Sequence, residues 1–413
     1  MNDKKNTKGE YLYLSYLIPE SEFQKIKTID ASPQLPTHKF NWKIFKGIYN
    51  SEFFKDEFHL ISTRPITDFP HSNIKYIKAK IWNSEYGIIH ENWFSNYPVI
   101  KQFTIFLSSI SKGLKWAITT PKDKRKCVIV YSVTFPYLIS GFLIAKFCKI
   151  PLIGIWTDPP VVPTPWDSTW KKKLRGLQKS FSKFFMKRFN GVVSLTRFLS
   201  MDFNPLGEHL LIEAISDSTQ INEKPLLHKK EKFVILYSGS LLKKYGILEF
   251  IKAFNELDYI DMELWIFGKG DIEDEINNRT LKDKRIKYFG FVDNSKVMEL
   301  QKEASLLINP RPINLLNGKY SFPSKILEYL ESGTPALVTK LSGIPDEYNN
   351  YLFFFDNDDA TSMRNKVEEI YLMDRERLWE FGYRAFEFSK TKTIKIQGDK
   401  IASFINNVCN NYH

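Results

Sequence analysis

The chain is 413 residues long, the length of two ordinary domains, and its 43% hydrophobic and 15% aromatic content is ample for two cores. A net charge of +12 calls for an anionic partner: a nucleotide, a nucleic acid or an acidic membrane. Cys127, Cys148 and Cys409 are too far apart for a metal-ligand pattern and fit a reduced cytosolic chain, and the opening MNDKKNTKGEY lacks the apolar core of a signal peptide.

In chain order, YLYLSYLIP (11–19) reads as a first strand stopped by Pro19, followed by a loop that holds Pro33, Pro36, His38 and Lys39. HLISTRP (59–65) and NIKYIKA (73–79) read as further strands, and 96–120 alternates apolar and basic residues at helical spacing. Cys127 to Ala145 is 19 residues without a charge, at the threshold for a membrane span. Ser132, Thr134, Pro136, Ser140 and Gly141 interrupt it, so CVIVYSV reads better as a buried strand and FPYLISGFLIAKFCK as a helix beside it. KIPLIGIWTDPPVVPTPW (149–166) is a buried strand running into a proline-rich loop. Asp158 stands at that strand's C-terminal end, where open α/β sheets place working residues; it contacts a ligand or simply caps the turn.

WKKKLRGLQKSFSKFFMKR (170–188) carries eight positive charges and no acid, with Trp170, Leu174, Leu177, Phe181 and Phe184 at helical spacing. Such a helix suits an anionic membrane surface. It equally suits a core-facing stripe with a solvated back, and the two arrangements coexist if the stripe turns inward and the lysines face lipid. No nucleic-acid motif accompanies the charge. GVVSLTRFLS (191–200) supplies a strand and turn, with Arg197 available to a phosphate.

ISDSTQINEKPLLHKKEK (215–232) is polar and without apolar periodicity, which marks a linker between domains. FVILYSGS (233–240) then opens a second βα series, with strands at 263–267, 286–289, 305–309 and 336–340: a parallel sheet of Rossmann type. Within it, Ser305–Ile308 closes a buried strand and a loop follows with Arg311 at its mouth. Pro323 opens a helix, because its missing N–H costs nothing in the first turn. Gly333 and Pro335 end it. The free N–H groups and positive dipole end of that helix suit an anion, and Lys325 in the first turn adds a full charge. Glu328 shares a face with Ser324 and Lys325 and can accept hydrogen bonds from two hydroxyls. Phosphate at the tip and a diol at the carboxylate suggest a nucleoside diphosphate; a solvated Lys325–Glu328 pair is the plain alternative.

SFPSKILEYLESGTPAL, preceded by LLINPR and followed by LSGIPDEY, resembles the donor-binding segment of retaining family-4 glycosyltransferases of the GT-B fold. YSGSLLKKYGILEFIKAF (237–254) and LWIFGKGDIE (264–273) fit the same family in the same order. The resemblance covers roughly residues 230–350. It implies an α/β chain of two Rossmann-like domains facing each other across a cleft: an acceptor-side domain over 1–220, a donor-binding domain over 221–391 and a terminal helix over 392–413 that packs back on the first. It also implies a nucleotide diphosphate-sugar donor, a glycan or polyprenyl-linked acceptor of surface-polysaccharide assembly, and no metal. The expected place is the cytoplasm, at the inner face of the plasma membrane, with anionic lipid as the partner suggested by the basic helix 170–188 and no nucleic acid.

The resemblance implies donor contacts at Gly239, Ser240, Phe291, Val292, Arg311, Tyr320, Ser324, Lys325 and Glu328. On the acceptor side it points to His38, in the loop after the first strand, and Asp158, with Asp158, Lys325 and Glu328 nearest the chemistry. Departures from the family pattern are informative. Ser240 and Tyr245 stand where relatives carry an arginine and a lysine for the diphosphate, so Lys243 and Lys244 take over that charge from shifted positions. Thr157 replaces a histidine, and Tyr320, eight residues before Glu328, replaces a glutamate. Two alternatives stay open: a nucleotide-sugar epimerase, which would share the fold and donor pocket, and a non-catalytic glycosyltransferase-like subunit, motivated by Ser240, Tyr245 and Tyr320.

Overall fold

A computed structural model describes residues 9–30, 35–54, 57–161, 169–217, 231–314 and 318–412. Pro33, most of the proline-rich loop after Asp158 and most of the expected linker lie outside them. The chain divides into two compact units, Met1–Ile215 with Ile394–His413, and Ser216–Thr393.

The first unit opens with β1 (Glu10–Ser15), whose every residue is buried, followed by α1 (Glu20–Ile29) and α2 (Leu35–Tyr49). Then come β2 (Glu57–Ser62), β3 (Tyr76–Ile77), β4 (Lys80–Ser84), β5 (Gly87–Glu91), β6 (Phe94–Ser95) and α3 (Ile100–Thr119). The rest is β7 (Lys126–Tyr131), α4 (Phe135–Cys148), β8 (Leu152–Trp156), α5 (Thr169–Met186), β9 (Gly191–Ser194), α6 (Arg197–Phe203) and β10 (Glu208–Leu211). Among the described residues these form a sheet in the order β10-β9-β8-β7-β1-β2-β5-β4, parallel except for the β4–β5 pair. The uncharged 127–145 run is therefore strand then helix, as the interrupting polar residues require. Of NIKYIKA only Tyr76–Ile77 pairs, antiparallel to β6.

Side-chain alternation sorts the helices onto two faces. Tyr11, Tyr13, Cys127, Ile129 and Ile153 pack with Ile44, Phe45 and Ile48 of α2 and with Ile401, Ala402 and Ile405 of the terminal helix. Gly113 of α3 and Gly141 of α4 press instead on Leu12, Val128, Val130 and Leu152 from the other face.

The second unit runs β11 (Phe233–Ser238), α7 (Ile247–Asn255), β12 (Met262–Phe267), α8 (Glu273–Lys282), β13 (Ile286–Tyr288), α9 (Asn294–Glu303), β14 (Leu306–Asn309), α10 (Lys325–Ser332), β15 (Ala336–Thr339) and β16 (Phe353–Phe355). α11 (Ala360–Tyr371) and α12 (Arg375–Ser389) complete it, and α13 (Ile394–Asn411) belongs to the first unit, packed on α2. The sheet order β13-β12-β11-β14-β15-β16 is parallel throughout, a Rossmann-like arrangement that reverses direction between β11 and β14. Its core joins Phe233, Ile235, Leu264, Ile266, Leu306 and Ile308 to Phe250, Phe254, Met363 and Val367 from the helices.

Two expectations need correction. His38 and Lys39 stand in α2, not in a loop: Leu35–Pro36 begins the helix, and Ile44, Phe45 and Ile48 bury one face of it. The apolar stripe of α5 turns outward, with Leu177, Phe181 and Phe184 exposed, because Ser182, Phe185 and Met186 take the inward side and Phe185 packs on Phe142 of α4. The side chains of Trp170 and Leu174 lie outside the description.

Candidate functional site

The β11/β14 reversal leaves a crevice beyond the strand ends, where open α/β sheets hold ligands. Three loops converge there by backbone contact. The β11 loop turns through Gly239 and Ser240 into a short 3-10 turn, Lys243–Tyr245, and reaches Gly246, whose φ of 79° is left-handed. A Cβ on Gly246 would stand 1.8 Å from the Pro310 carbonyl oxygen, so no larger residue lets the β11 and β14 loops approach this closely. Gly268, at φ 140°, meets the Gly239 carbonyl in the same manner from the β12 loop. The Leu241 N–H donates to the Lys269 carbonyl (2.8 Å) and the Lys243 N–H to Asp271 (2.9 Å). The Tyr237 hydroxyl donates to the Ser240 carbonyl at 2.9 Å.

Charge gathers at this crevice. Lys243 and Lys244 are exposed, and the Arg311 guanidinium lies 4.7 Å over the Tyr245 ring. Burial pushes the Tyr329 hydroxyl up to about 12, and Arg311 partly opposes the rise. Burial likewise raises Tyr237, again against Arg311. Arg311 thus acts on both tyrosines, one on β11 and one on α10, while Tyr329 donates to the Ile308 carbonyl at the end of β14 (3.1 Å).

The helix tip is α10. The Ile326 N–H bonds to the Pro323 carbonyl (2.9 Å), so Pro323 forms a turn and the helix begins two residues later, at Lys325. Ser324 is exposed at the N-cap and makes no side-chain cap bond. Ile326, Leu327, Tyr329 and Leu330 bury the inward face, and Gly333 at φ 70° closes the helix as its sequence requires. Lys325 Nζ lies 2.6 Å from Glu328 Oε2 and 3.3 Å from Asn294 Oδ1, so the two charged candidates hold each other, half-buried. Asn294 starts α9, which ties the tip to the loop after β13. In that loop Phe291 is 64% exposed and Val292 half-buried, so core packing does not account for Phe291; Lys269 Nζ sits 5.5 Å over its ring. Tyr320 ends a separate 3-10 turn, with Lys319 over its ring at 4.8 Å.

In the first unit, Asp158 is exposed just past β8 and accepts from the Thr157 hydroxyl at 2.8 Å. Burial first, and then the charge of Asp158, raises the pKa of Tyr131 at the end of β7. Ser132, next to it, adopts a left-handed φ of 83°, uncommon outside glycine. His38 is only 2% exposed and stacks on Phe23 at 3.9 Å, with Nε2 3.6 Å from Glu20, so a ligand meets little of its ring. Sequence reasoning passed over Lys269, Asp271 and Asn294. The first two lie inside LWIFGKGDIE, where a lysine between two glycines at a strand end was a usable signal.

Residues 218–387 match the family model described as "Glycosyl transferases group 1". No curated protein matches the chain. Among solved structures, a sucrose-phosphate synthase from Thermosynechococcus elongatus is similar at TM-score 0.64 and 12% identity, over 96% of this chain and 99% of that one. A glycosyltransferase from Rickettsia africae gives 0.61 and 14%, over 98% and 99%. Anabaena HepE in complex with UDP and glucose gives 0.59 and 12%, over 97% and 100%. At such identities the likeness is one of fold, and the fold is α/β of the GT-B type, built of two Rossmann-like units.

Proposed function

We propose that the chain is a retaining glycosyltransferase, of the family-4 kind, that moves a sugar from a nucleoside diphosphate donor to a glycan or polyprenyl-linked acceptor in surface-polysaccharide assembly. It works in the cytoplasm, at the inner face of the plasma membrane. The observation that carries this reading is the second unit's crevice, where glycine-lined loops, Lys243, Lys244 and Arg311 stand at the sheet reversal of the segment that matches the glycosyltransferase group 1 model. HepE, with the same fold, holds UDP and glucose, which favours a nucleotide sugar here too. The diphosphate lies against Gly239, Ser240 and the α10 tip at Ser324. Phe291 and Val292 face the base, Glu328 the ribose, and Tyr320 takes the place of a sugar-contacting carboxylate.

The departing diphosphate is stabilised by Lys243, Lys244, Arg311, Lys325 and the α10 dipole, with no metal ion assigned to the step. The bond from the anomeric carbon to the diphosphate oxygen breaks as the bond to the acceptor oxygen forms on the same face. The acceptor proton passes to the leaving phosphate oxygen, so no side chain need be a nucleophile. Asp158 is assigned to the acceptor.

Lys325→Ala and Glu328→Ala should each weaken nucleotide-sugar affinity by about 10- to 100-fold, the worth of one charge-assisted hydrogen bond. Calorimetry decides, after a thermal-shift panel has chosen the nucleotide sugar; full affinity in both variants removes the site from this helix. Ser240, Tyr245 and Tyr320, at positions where relatives hold charged ligands, favour a non-catalytic subunit, and a nucleotide-sugar epimerase would use the same donor site. Donor isomerised without acceptor would indicate an epimerase. Binding with neither hydrolysis nor transfer would indicate a non-catalytic subunit.

A further inference from the structure

α3, α4 and α5 lie side by side, α4 packed between the other two. Together they contain three, one and six Lys or Arg residues and not one Asp or Glu, in a chain with 47 acids. Each also turns large apolar side chains outward. On α3 these are Ile100, Phe103 (59% exposed), Leu107 and Ile118 (76%); on α4, Leu143 and Phe147 (74%); on α5, Leu177, Phe181 (47%) and Phe184. The spacing is three or four residues, or eleven between Leu107 and Ile118, about three whole turns, so each stripe follows one side of its helix. No helix among the described residues is long and apolar enough to cross a membrane.

We propose that this three-helix face docks on an anionic phospholipid bilayer, with the aromatic and aliphatic side chains entering the headgroup–acyl boundary and the lysines meeting lipid phosphates. Lys101 is buried against Asp68 and Lys112 is half-buried on Asn92, so the charge that faces outward is Lys115, Lys146, Lys172 and Lys173, and it complements such a surface. The charges and the apolar groups are interleaved: exposed Lys115 stands three residues before Ile118, Lys146 adjoins Phe147, and Lys173 precedes Leu177 by one turn. Protein interfaces deplete lysine at their centre, whereas a lysine stem lying along a lipid boundary keeps its ammonium in the headgroups. The three helices belong to the first unit and the donor residues to the second, and the test does not depend on the transfer reaction.

The experiment is flotation of the full chain with vesicles of phosphatidylcholine containing phosphatidylglycerol, beside phosphatidylcholine alone. The wild type should float with the anionic vesicles, and added salt should release it. Lys115→Gln/Lys146→Gln/Lys173→Gln should lower partitioning on the order of 100-fold. Phe103→Glu/Phe147→Glu/Phe181→Glu should lower it at least as far, with the thermal melt of wild type. Three results overturn the proposal: wild type that stays with the unbound fraction, equal binding to both vesicles, or anionic binding that neither variant alters. A wild-type dimer in gel filtration that the glutamate variant dissociates, without vesicle binding, assigns the face to a second copy and overturns the lipid proposal as well.

Discussion

The two units share a parallel sheet but finish its C-terminal edge differently. In the second unit backbone presses the loops of the edge together at Gly246 and Gly268, Lys243 and Lys244 face outward, and Lys325 pairs with Glu328 near the surface. In the first it is made of side chains that bind one another. Arg64, past β2, holds Glu91 of β5 through Nε at 2.7 Å and Nη2 at 3.2 Å and reaches Glu22 of α1 at 3.1 Å. Trp82 donates to the same Glu91 (2.9 Å), while Asn92 bonds Thr63, Ser109 and Ser108 and Lys112 bonds Asn92. Burial depresses the Lys112 ammonium to about 8 despite Glu91 nearby. The second unit also has a buried carboxylate with two cations, Glu263 with Lys232 and Lys287, but at the opposite, N-terminal end of its strands. A parallel sheet offers a strand-end edge of the kind that binds ligands in both units. Where the chain spends its buried ion pairs decides which edge keeps its cations outward.

The largest effect should come from breaking the first unit's filled edge. Arg64→Ala leaves Glu91, fully buried, and Glu22, nearly so, without their guanidinium, at a cost of about 3–5 kcal/mol. Hydrogen exchange at β2 and β5 reads it out, because a two-unit chain need not unfold in one step. A loss below about 1 kcal/mol would mean that the network only occupies space, and the contrast between the edges would fail.

Gly246→Ala tests the second edge. A left-handed backbone costs a β-carbon about 1–2 kcal/mol, and overlap with the Pro310 carbonyl adds about 1–3, so roughly 3 kcal/mol should be lost at β11 and β14. Gly290 supplies the control. Its φ is 69° with nothing within 4 Å of an added Cβ, so Gly290→Ala should cost the backbone strain alone, about 1–2 kcal/mol. Equal losses at the two sites would show that the close approach of the loops contributes nothing.

The second unit was the more legible in sequence. β11, β12 and β14 are buried runs ended by glycine or proline, and α10 carries its own stop at Gly333. β16 and helices α11 and α12 went unread, although the run YLFFF at the first and the apolar residues of α12 at helical spacing were usable signals. In the first unit, Pro33 and Pro36 suggested a loop, yet a proline also begins a helix, and α2 is the outcome. The β4–β5 hairpin mixes polar and apolar residues without a regular alternation, and β4, its outer strand, is largely exposed. Periodicity revealed that α5 has an apolar stripe but not which way the stripe faces. Of the candidate site, positions at strand ends were readable from the pattern. Contacts such as Lys269 on Phe291, or Lys325 on both Glu328 and Asn294, depend on neighbours distant in sequence and were not.

The smallest effect concerns Glu263, and it is a pH effect. Burial alone would raise this carboxyl. Hydrogen bonds from Lys232, Lys287 and Trp265, with the charge of Lys287, outweigh burial and bring it down to about 2. A carboxyl depressed on folding stabilises the folded state fully above its unfolded value near 4.5, and that contribution disappears as pH falls toward about 2. Glu263→Gln keeps an acceptor for Trp265 but loses the charge. The variant should therefore be less stable than wild type at neutral pH, and the gap should narrow steadily below pH 4.5. Parallel stability–pH curves, taken from exchange at β12, would show that the two lysines add nothing to this end of the sheet. Buried charge would then cease to distinguish where the two units place their ion pairs, leaving the loop glycines alone to explain the open edge.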